Sequence, residues 1–567
     1  MRMPRKLSPR LQARLEHQSG LQALNKDNLP LAAVFRLRRA VELAPCAKYH
    51  ANLAVALERV AVDVETDPAR RQELLERAVV ESLAALRIRP DFLDVMANLT
   101  LILERLGRVQ EALFYAALVT SLSPQSAEAA WARAGLLVRQ QEWIEAAYWY
   151  AQARRLKPAL TTAVNNEVSC LTNCARDAEA LYLLYESLRR DPQDALTWVN
   201  LGCIHRRLGR NRMALECYDR AIEMQFGTAT AYWGRSLCLL ALGQMQEGWE
   251  DYEWGLKTGD RKPPRPFTHP RWEGQPLDGK VLLVWMEQGL GDHLVWASLL
   301  RDLYLEISEI SGSRIVVECE HRLVPLFQRS FRVIDFVPQS DPPQPCTTNP
   351  DIAYQIPAGA LPRLLRPDYK RYHRTGGYLD PDPLRVAEWN SRLDTIGTGP
   401  RVGICWRSLR YQGIRAIDCM RLSQWGPILS VPGITWINLQ PGWRQDELAE
   451  VGELFDANLH TWSDLDLVQN IDEQAALIPN LDLVVSAFTV TAQLAGALDV
   501  PCWVLAHKGN QSWWSLGTDY CPWHPSLRFF YCEALEPWEI AIGELAREIA
   551  KKFPERFPKP QPVVVET

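Results

Sequence analysis

One spacing dominates the 567-residue chain: prolines stand at Pro90, Pro124, Pro158 and Pro192, each 34 residues after the last. Small residues keep the same period at Ala78, Ala112, Ala146, Ala180, Ala214 and Gly248, and glycines recur in phase at Gly107, Gly209 and Gly243. A fixed period of this length marks one supersecondary unit stacked on copies of itself, and two antiparallel helices per unit satisfy it. The small residue lets the paired helices approach, and proline stops the second helix because it has no N–H to donate. The block Leu31–Pro45, with Ala33, reads as an earlier copy, separated by about eleven extra residues placed around Val62–Arg71. Residues 30–258 are therefore expected to form six or seven helical hairpins, preceded at 1–29 by a basic tail or cap.

The best copy, Leu196–Phe226 with Trp198, Leu201, Gly202, Tyr218 and Ala221, resembles the tetratricopeptide repeat. Asn98, Asn166 and Asn200 share one phase on the first helix of each hairpin, and Asn52 has the equivalent Ala-Asn-Leu context. A carboxamide both donates and accepts, so such a row suits the backbone of a bound polypeptide. Asparagine is also simply common at that place in the repeat. A similar ladder lines the O-linked N-acetylglucosamine transferases.

After Lys257 the period stops. Residues 259–279 are rich in Pro, Arg and Gly and read as a linker or docking segment. Beyond them Val281–Met286, Arg314–Glu318, Val402–Trp406, Thr435–Leu439, Leu481–Ser486 and Cys502–Ala506 read as strands, and Leu290–Tyr304, Asp472–Ile478 and Thr491–Leu498 as helices. This alternation implies parallel sheets with crossover helices. A break near Ile396–Arg401 divides them into two α/β domains, 280–398 and 399–555, with a tail at 556–567. The expected class is an α-helical solenoid followed by two doubly wound, Rossmann-like domains.

Composition sets the outer limits. Apolar residues make 47% of the chain and charged residues 23%, so it is a folded globular protein. The net charge of −5 gives no broad reason to bind nucleic acid. No apolar run approaches the roughly 20 residues of a membrane span. Thirteen cysteines without a Cys-x-x-Cys pair point to reduced structural thiols and a cytosolic protein.

Five motifs carry a second resemblance: Arg271-Trp272-Glu273-Gly274, Glu287-Gln288-Gly289-Leu290-Gly291-Asp292, Asn480–Ser486, Leu494-Ala495-Gly496-Ala497-Leu498 and Pro522-Trp523-His524-Pro525-Ser526. They are similar to a bacterial family of repeat-bearing glycosyltransferases whose catalytic half resembles the lipopolysaccharide heptosyltransferases. That resemblance implies a GT-B fold and a metal-independent transfer of a sugar from a nucleotide-sugar to a protein hydroxyl. Members with this arrangement glycosylate flagellin with nonulosonic acids such as pseudaminic acid, the repeats holding the flagellin.

Asp292 stands at a helix start in the loop Gln288, Gly289, Gly291, where capping is its plain role. The resemblance implies that it is the general base taking the acceptor's proton. Ser486, Thr489, Thr491 and Gln493 surround another helix start, suited to a donor phosphate or to capping alone. Relatives commonly carry Asp at position 488 and His at 493, whereas this chain has Phe488 and Gln493. The departures favour a CMP-linked donor over a UDP- or ADP-linked one, and equally suit a decayed site. Arg407, Arg410, Arg415, Lys508 and Gln440, all after strands, are the candidate contacts to the leaving nucleotide. The Asp-x-Asp pairs at Asp464 and Asp380 do not follow strands, so no metal is expected. The lone Gly289-Leu290-Gly291 lacks the rest of a dinucleotide fingerprint, which excludes an oxidoreductase. The alternative function is a non-catalytic repeat scaffold carrying a degenerate transferase domain.

Overall fold

The computed structural model describes residues 8–158, 161–224, 228–308, 312–372, 376–409, 419–510, 512–518, 520–533 and 536–554. The chain divides into two compact units, residues 1–190 and 191–567. The division falls inside the repeats and not at the linker.

The first unit holds ten helices among its described residues, paired as antiparallel hairpins: α1 (Pro9–Asn25) with α2 (Pro30–Leu43), α3 (Ala47–Asp63) with α4 (Pro68–Ile88), α5 (Leu93–Arg105) with α6 (Val109–Leu122), α7 (Ala127–Arg139) with α8 (Trp143–Leu156), and α9 (Thr161–Asn173) with α10 (Asp177–Arg190). Residues 9–25, expected as a tail or cap, are thus half of the first hairpin. Ser8 caps α1, and Gly20 lets α2 close in, since a Cβ there would meet Leu37 Cγ at 2.8 Å. The extra residues before Pro90 do not form a loop. They lengthen α3 and α4 to 17 and 21 residues, against 13 and 14 in α5 and α6. Ala78, Ala112, Ala146 and Ala180 have no exposed surface, as their hairpin contact requires.

The second unit opens with α11 (Ala195–Arg207), α12 (Asn211–Glu223), α13 (Ala229–Ala241), α14 (Met245–Tyr252) and α15 (Trp254–Thr258). Tyr218 is clamped between glycines; a Cβ would meet its ring at 2.8 Å on Gly202 and 2.3 Å on Gly234. Trp249 and Tyr252 of α14 continue into a buried aromatic cluster with Trp296, Trp513 and Trp523. The last hairpin, α13 and α14, and the α/β region therefore share one apolar core.

The first sheet contains β1 (Val281–Trp285), β2 (Arg314–Cys319), β3 (Asp335–Pro338) and β4 (Ile352–Pro357), all parallel, in the order β3-β2-β1-β4. Its helices α16 (Leu290–Ala297), α17 (Leu300–Ser308), α18 (Val324–Ser330) and α19 (Leu361–Leu365) pack in the core of one face. A right-handed return from β3 to β4 would cover the other face, but residues 339–351 hold only the single turn Pro345–Thr348. Phe267, from the segment after α15, packs there instead against Leu283, Val316 and Ile352.

That segment is docked throughout. Arg261 donates Nε and Nη2 to Glu287 Oε1 at 3.0 and 2.7 Å, both side chains being inaccessible. The Gly359 N–H donates to the same oxygen at 3.0 Å. Burial pushes the Glu287 carboxyl up from its usual range. Arg265 pairs with Glu318, and Arg271 runs beside Gln355 of β4.

After α20 (Pro383–Leu393) comes the second sheet: β5 (Arg401–Cys405), β6 (Thr435–Asn438), β7 (Leu459–His460), β8 (Leu483–Ala487), β9 (Cys502–His507) and β10 (Leu527–Cys532). The order β10-β9-β8-β5-β6-β7, all parallel, is the doubly wound order with its reversal between β5 and β8. Helices α21 (Gly426–Leu429), α22 (Gln445–Phe455), α23 (Ile471–Leu477), α24 (Val490–Ala497) and α25 (Trp538–Lys552) cover it. Among the described residues no helix is long and apolar enough to cross a membrane, and no cluster of metal-ligating side chains occurs.

Candidate functional site

In open parallel sheets, ligands sit beyond the carboxyl ends of the strands where strand order reverses. The loops after β1, β5 and β8 meet at such a point and line a cavity of about 350 Å³. Its wall includes Gly289, Gly291 and Asp292 from the first sheet, and Ser408, Phe488, Thr489 and Gln493 from the second. The two helix starts face each other closely: a Cβ on Gly291 would lie 3.6 Å from Gln493 Cγ and 3.7 Å from Val490 Cγ2. Trp513 and Trp514 complete an apolar side, with Phe488 tilted against Trp514 at 4.6 Å between ring centroids.

Asp292 performs the capping role. Its Oδ2 accepts from the Gly289 N–H at 2.8 Å, closing the first turn of α16. Burial holds the Tyr252 phenol above its ordinary range, and the charge of Asp292 adds to that rise. Gln288 lies outside the cavity wall; with φ of 74° it turns its Nε2 onto Tyr252 Oη at 2.6 Å. His293 also points elsewhere, its Nδ1 accepting from the Glu320 N–H, and burial pushes its imidazole down to about 4.

Around α24 the hydroxyls are mostly spent locally. Ser486 Oγ donates to Ala487 O at 2.6 Å and meets Thr489 Oγ1 at 3.1 Å. Thr491, buried away from the cavity wall, accepts from Gln474 Nε2 at 3.1 Å. Thr489 lines the cavity, and so does Gln493, only 5% exposed, whose Oε1 has no hydrogen-bond partner among the described residues.

Of the nominated nucleotide contacts, Arg407, Gln440 and Lys508 are not in the wall. Arg407 makes a bidentate pair with Glu447 at 2.6 and 3.0 Å, and Lys508 Nζ pairs with Glu533 at 2.5 Å. Gln440 is a bracket for the chain: its Oε1 accepts from the N–H groups of Trp406 and Arg407, both at 2.9 Å, and its Nε2 donates to Arg407 O and Pro441 O. Each is thus engaged by residues of the second α/β domain itself. Arg410 and Arg415 lie outside the described residues.

The asparagine row is likewise engaged. Asn52 pairs with His17 Nε2 at 2.7 Å and Asn166 hydrogen-bonds the Tyr150 phenol, both inside the first unit. Asn98 is half-buried on α5, and Asn200, on α11, belongs to the second unit and has a partner of its own.

The tetratricopeptide-repeat family matches residues 195–227. Protein FlbA of Caulobacter vibrioides is 31% identical over 449 residues, which span 71% of this chain and 74% of FlbA. The chain belongs to the FlbA family. Among solved structures it is similar to a tetratricopeptide repeat protein from Parabacteroides merdae, with 16% identity, a TM-score of 0.33, and coverage of 44% of this chain and 94% of that one. The repeat protein YrrB aligns at 21% identity and a TM-score of 0.30, over 35% of this chain and 98% of its own.

One wall residue of this FlbA-family chain was not foreseen. Arg206, at the end of α11, lines the same cavity as Asp292 and Gln493. In the sequence it sits in His205-Arg206-Arg207, an ordinary basic end for a helix. Only the fold brings it to the sheets.

Proposed function

We propose that the protein is a GT-B, metal-independent O-glycosyltransferase acting in the cytosol. It moves a sugar from a nucleotide-sugar to a Ser or Thr hydroxyl of a protein acceptor, and the repeats hold that acceptor. The observation that carries this reading is the meeting of the Gly289–Asp292 and Thr489–Gln493 helix starts around one cavity at the strand-order reversals. The acceptor oxygen attacks the anomeric carbon, Asp292 takes its proton, and the nucleotide phosphate leaves toward the N–H groups of α24. The motifs shared with repeat-bearing transferases support flagellin as acceptor and a CMP-linked nonulosonic acid as donor.

The decisive measurement is mass spectrometry of flagellin from cells with and without the protein. Asp292→Asn keeps an oxygen to cap α16 but removes the base, so it should abolish transfer while costing less than about 1 kcal/mol of stability. Undiminished transfer by that variant removes Asp292 from the chemistry.

A second reading, a repeat scaffold with a decayed transferase, is favoured by the ion pairs that occupy Arg407 and Lys508 and by the Phe488–Trp514 ring contact on the wall. Thermal shifts with CMP, UDP, ADP and GDP separate the two, because any nucleotide bound by the folded state raises the melting temperature. No response to all four selects the scaffold.

A further inference from the structure

The carboxyl ends of the last repeats are seated on the loop after β9 by glycines. A Cβ on Gly509 would fall 1.7 Å from Arg207 O, and one on Gly517 would fall 2.7 Å from Gly243 N. Backbone therefore lies directly on backbone, which fixes the end of α11 and delivers Arg206 to the cavity.

Arg206 is unlike the other arginines considered above. Its Nε is buried without a hydrogen-bond partner, and no carboxylate among the described residues forms an ion pair with it; its side-chain partner is the neutral Tyr218 phenol. A half-buried guanidinium whose Nε is cut off from solvent, with no carboxylate beside it among the described residues, needs an anion to offset its desolvation. Gln493 is the second sign, since a carboxamide oxygen so thoroughly buried is normally satisfied. The N-termini of α16 and α24, each eight residues long, add N–H groups and positive dipole ends to the same space.

We propose that Arg206, carried by the repeats, is the cation of a phosphate subsite in this cavity, and that Gln493 Oε1 accepts a hydroxyl of the same ligand. This rests on the nucleotide-sugar reading and deepens it: the ligand is a phosphorylated sugar or nucleoside, and the repeats supply part of its site. Among the described wall residues there are one guanidinium and the Asp292 carboxylate, a balance that suits a single phosphate.

The test is thermal-shift titration of the full chain with CMP, UDP, inorganic phosphate and pyrophosphate, using wild type, Arg206→Gln and Gln493→Leu. CMP should stabilise wild type, and Arg206→Gln should weaken it at least about tenfold, the effect of one charge-assisted hydrogen bond. Gln493→Leu, whose apo melting temperature reports its folding, should weaken CMP while leaving inorganic phosphate unchanged. Equal stabilisation of wild type and Arg206→Gln by CMP overturns the subsite and leaves the nucleotide-sugar reading standing. Stabilisation by inorganic phosphate through Arg206, with no nucleotide effective, upholds the subsite and removes that reading. Silence from all four ligands overturns both, and an Arg206-dependent preference for UDP overturns the single-phosphate assignment.

Discussion

The second helices of the repeats before residue 190 and after residue 195 follow the same spacing, yet one position separates them. In the first unit it holds Phe35, Val80, Phe114, Tyr148 and Tyr182, which are 54–69% exposed. In the second unit it holds Glu216 and Glu250, also exposed. The helix ends differ too. In-phase positions 107, 209 and 243 are glycine at φ of 73°, 72° and 77°, whereas positions 141 and 175, both in the first unit, are Gln and Ala at φ of 61° and 59°. A stacked repeat tolerates a strained left-handed residue at its turn. At Gly243 of the second unit a Cβ would collide as well as strain, falling 2.6 Å from Tyr369 Oη, whereas at Gly209 it would meet nothing closer than 3.5 Å. Identical period thus hides two uses, hairpins that make up a unit of their own and hairpins built into the α/β body.

The largest test of that contrast is Gly509→Ala. The Arg207 carbonyl cannot yield without moving α11, so the substitution should cost about 3 kcal/mol or more of the second unit's stability. Hydrogen exchange should show the loss in residues 191–567, with the first unit's protection unchanged. Protection lost equally in both would break the comparison.

Acid should act next, and again on the second unit. Burial pushes His293 down to about 4 and His524 to about 3, from an ordinary 6.5. Below pH 6.5 the unfolded chain binds protons that the folded chain refuses, so stability falls as pH drops toward those values. Each histidine contributes a slope of about 1.4 kcal/mol per pH unit. Replacing His524 by Asn should remove one proton's worth of slope in denaturant midpoints measured between pH 6.5 and 4. A slope unaltered by the replacement counts against the buried neutral ring.

The smallest effect belongs to the first unit. Ala175→Gly relieves a left-handed alanine and should stabilise by about 1 kcal/mol, read from chemical denaturation. A destabilised variant would mean that this turn is held by something other than repeat geometry.

The solenoid was legible because its spacing is steric. Ala112 and Ala146 are small for the reason the period implies, and Gly209 and Gly243 end helices as expected. The place of the insertion, around Val62–Arg71, was legible from the same spacing and is where α3 ends and α4 begins; that it lengthens both helices was not. The strands β1, β5, β8 and β9 stand out as apolar runs, while Asp335–Pro338 and Leu527–Cys532 carry charges that conceal them. Within the site, Asp292, Thr489 and Gln493 could be read from helix starts following strands. Arg407 and Lys508 follow strands too, but their neutralising acids come 40 and 25 residues later and are invisible to a local pattern. Arg206 needed the fold, because its relation to the cavity runs through a glycine some 300 residues downstream.

The contact of Gly509 and Gly517 with the ends of α11 and α13 also bears on how such proteins change over generations. Hairpins ahead of residue 190 can be added, trimmed or rewritten without touching that contact, whereas the two hairpins from Ala195 to Tyr252 must be inherited together with the loop that receives them.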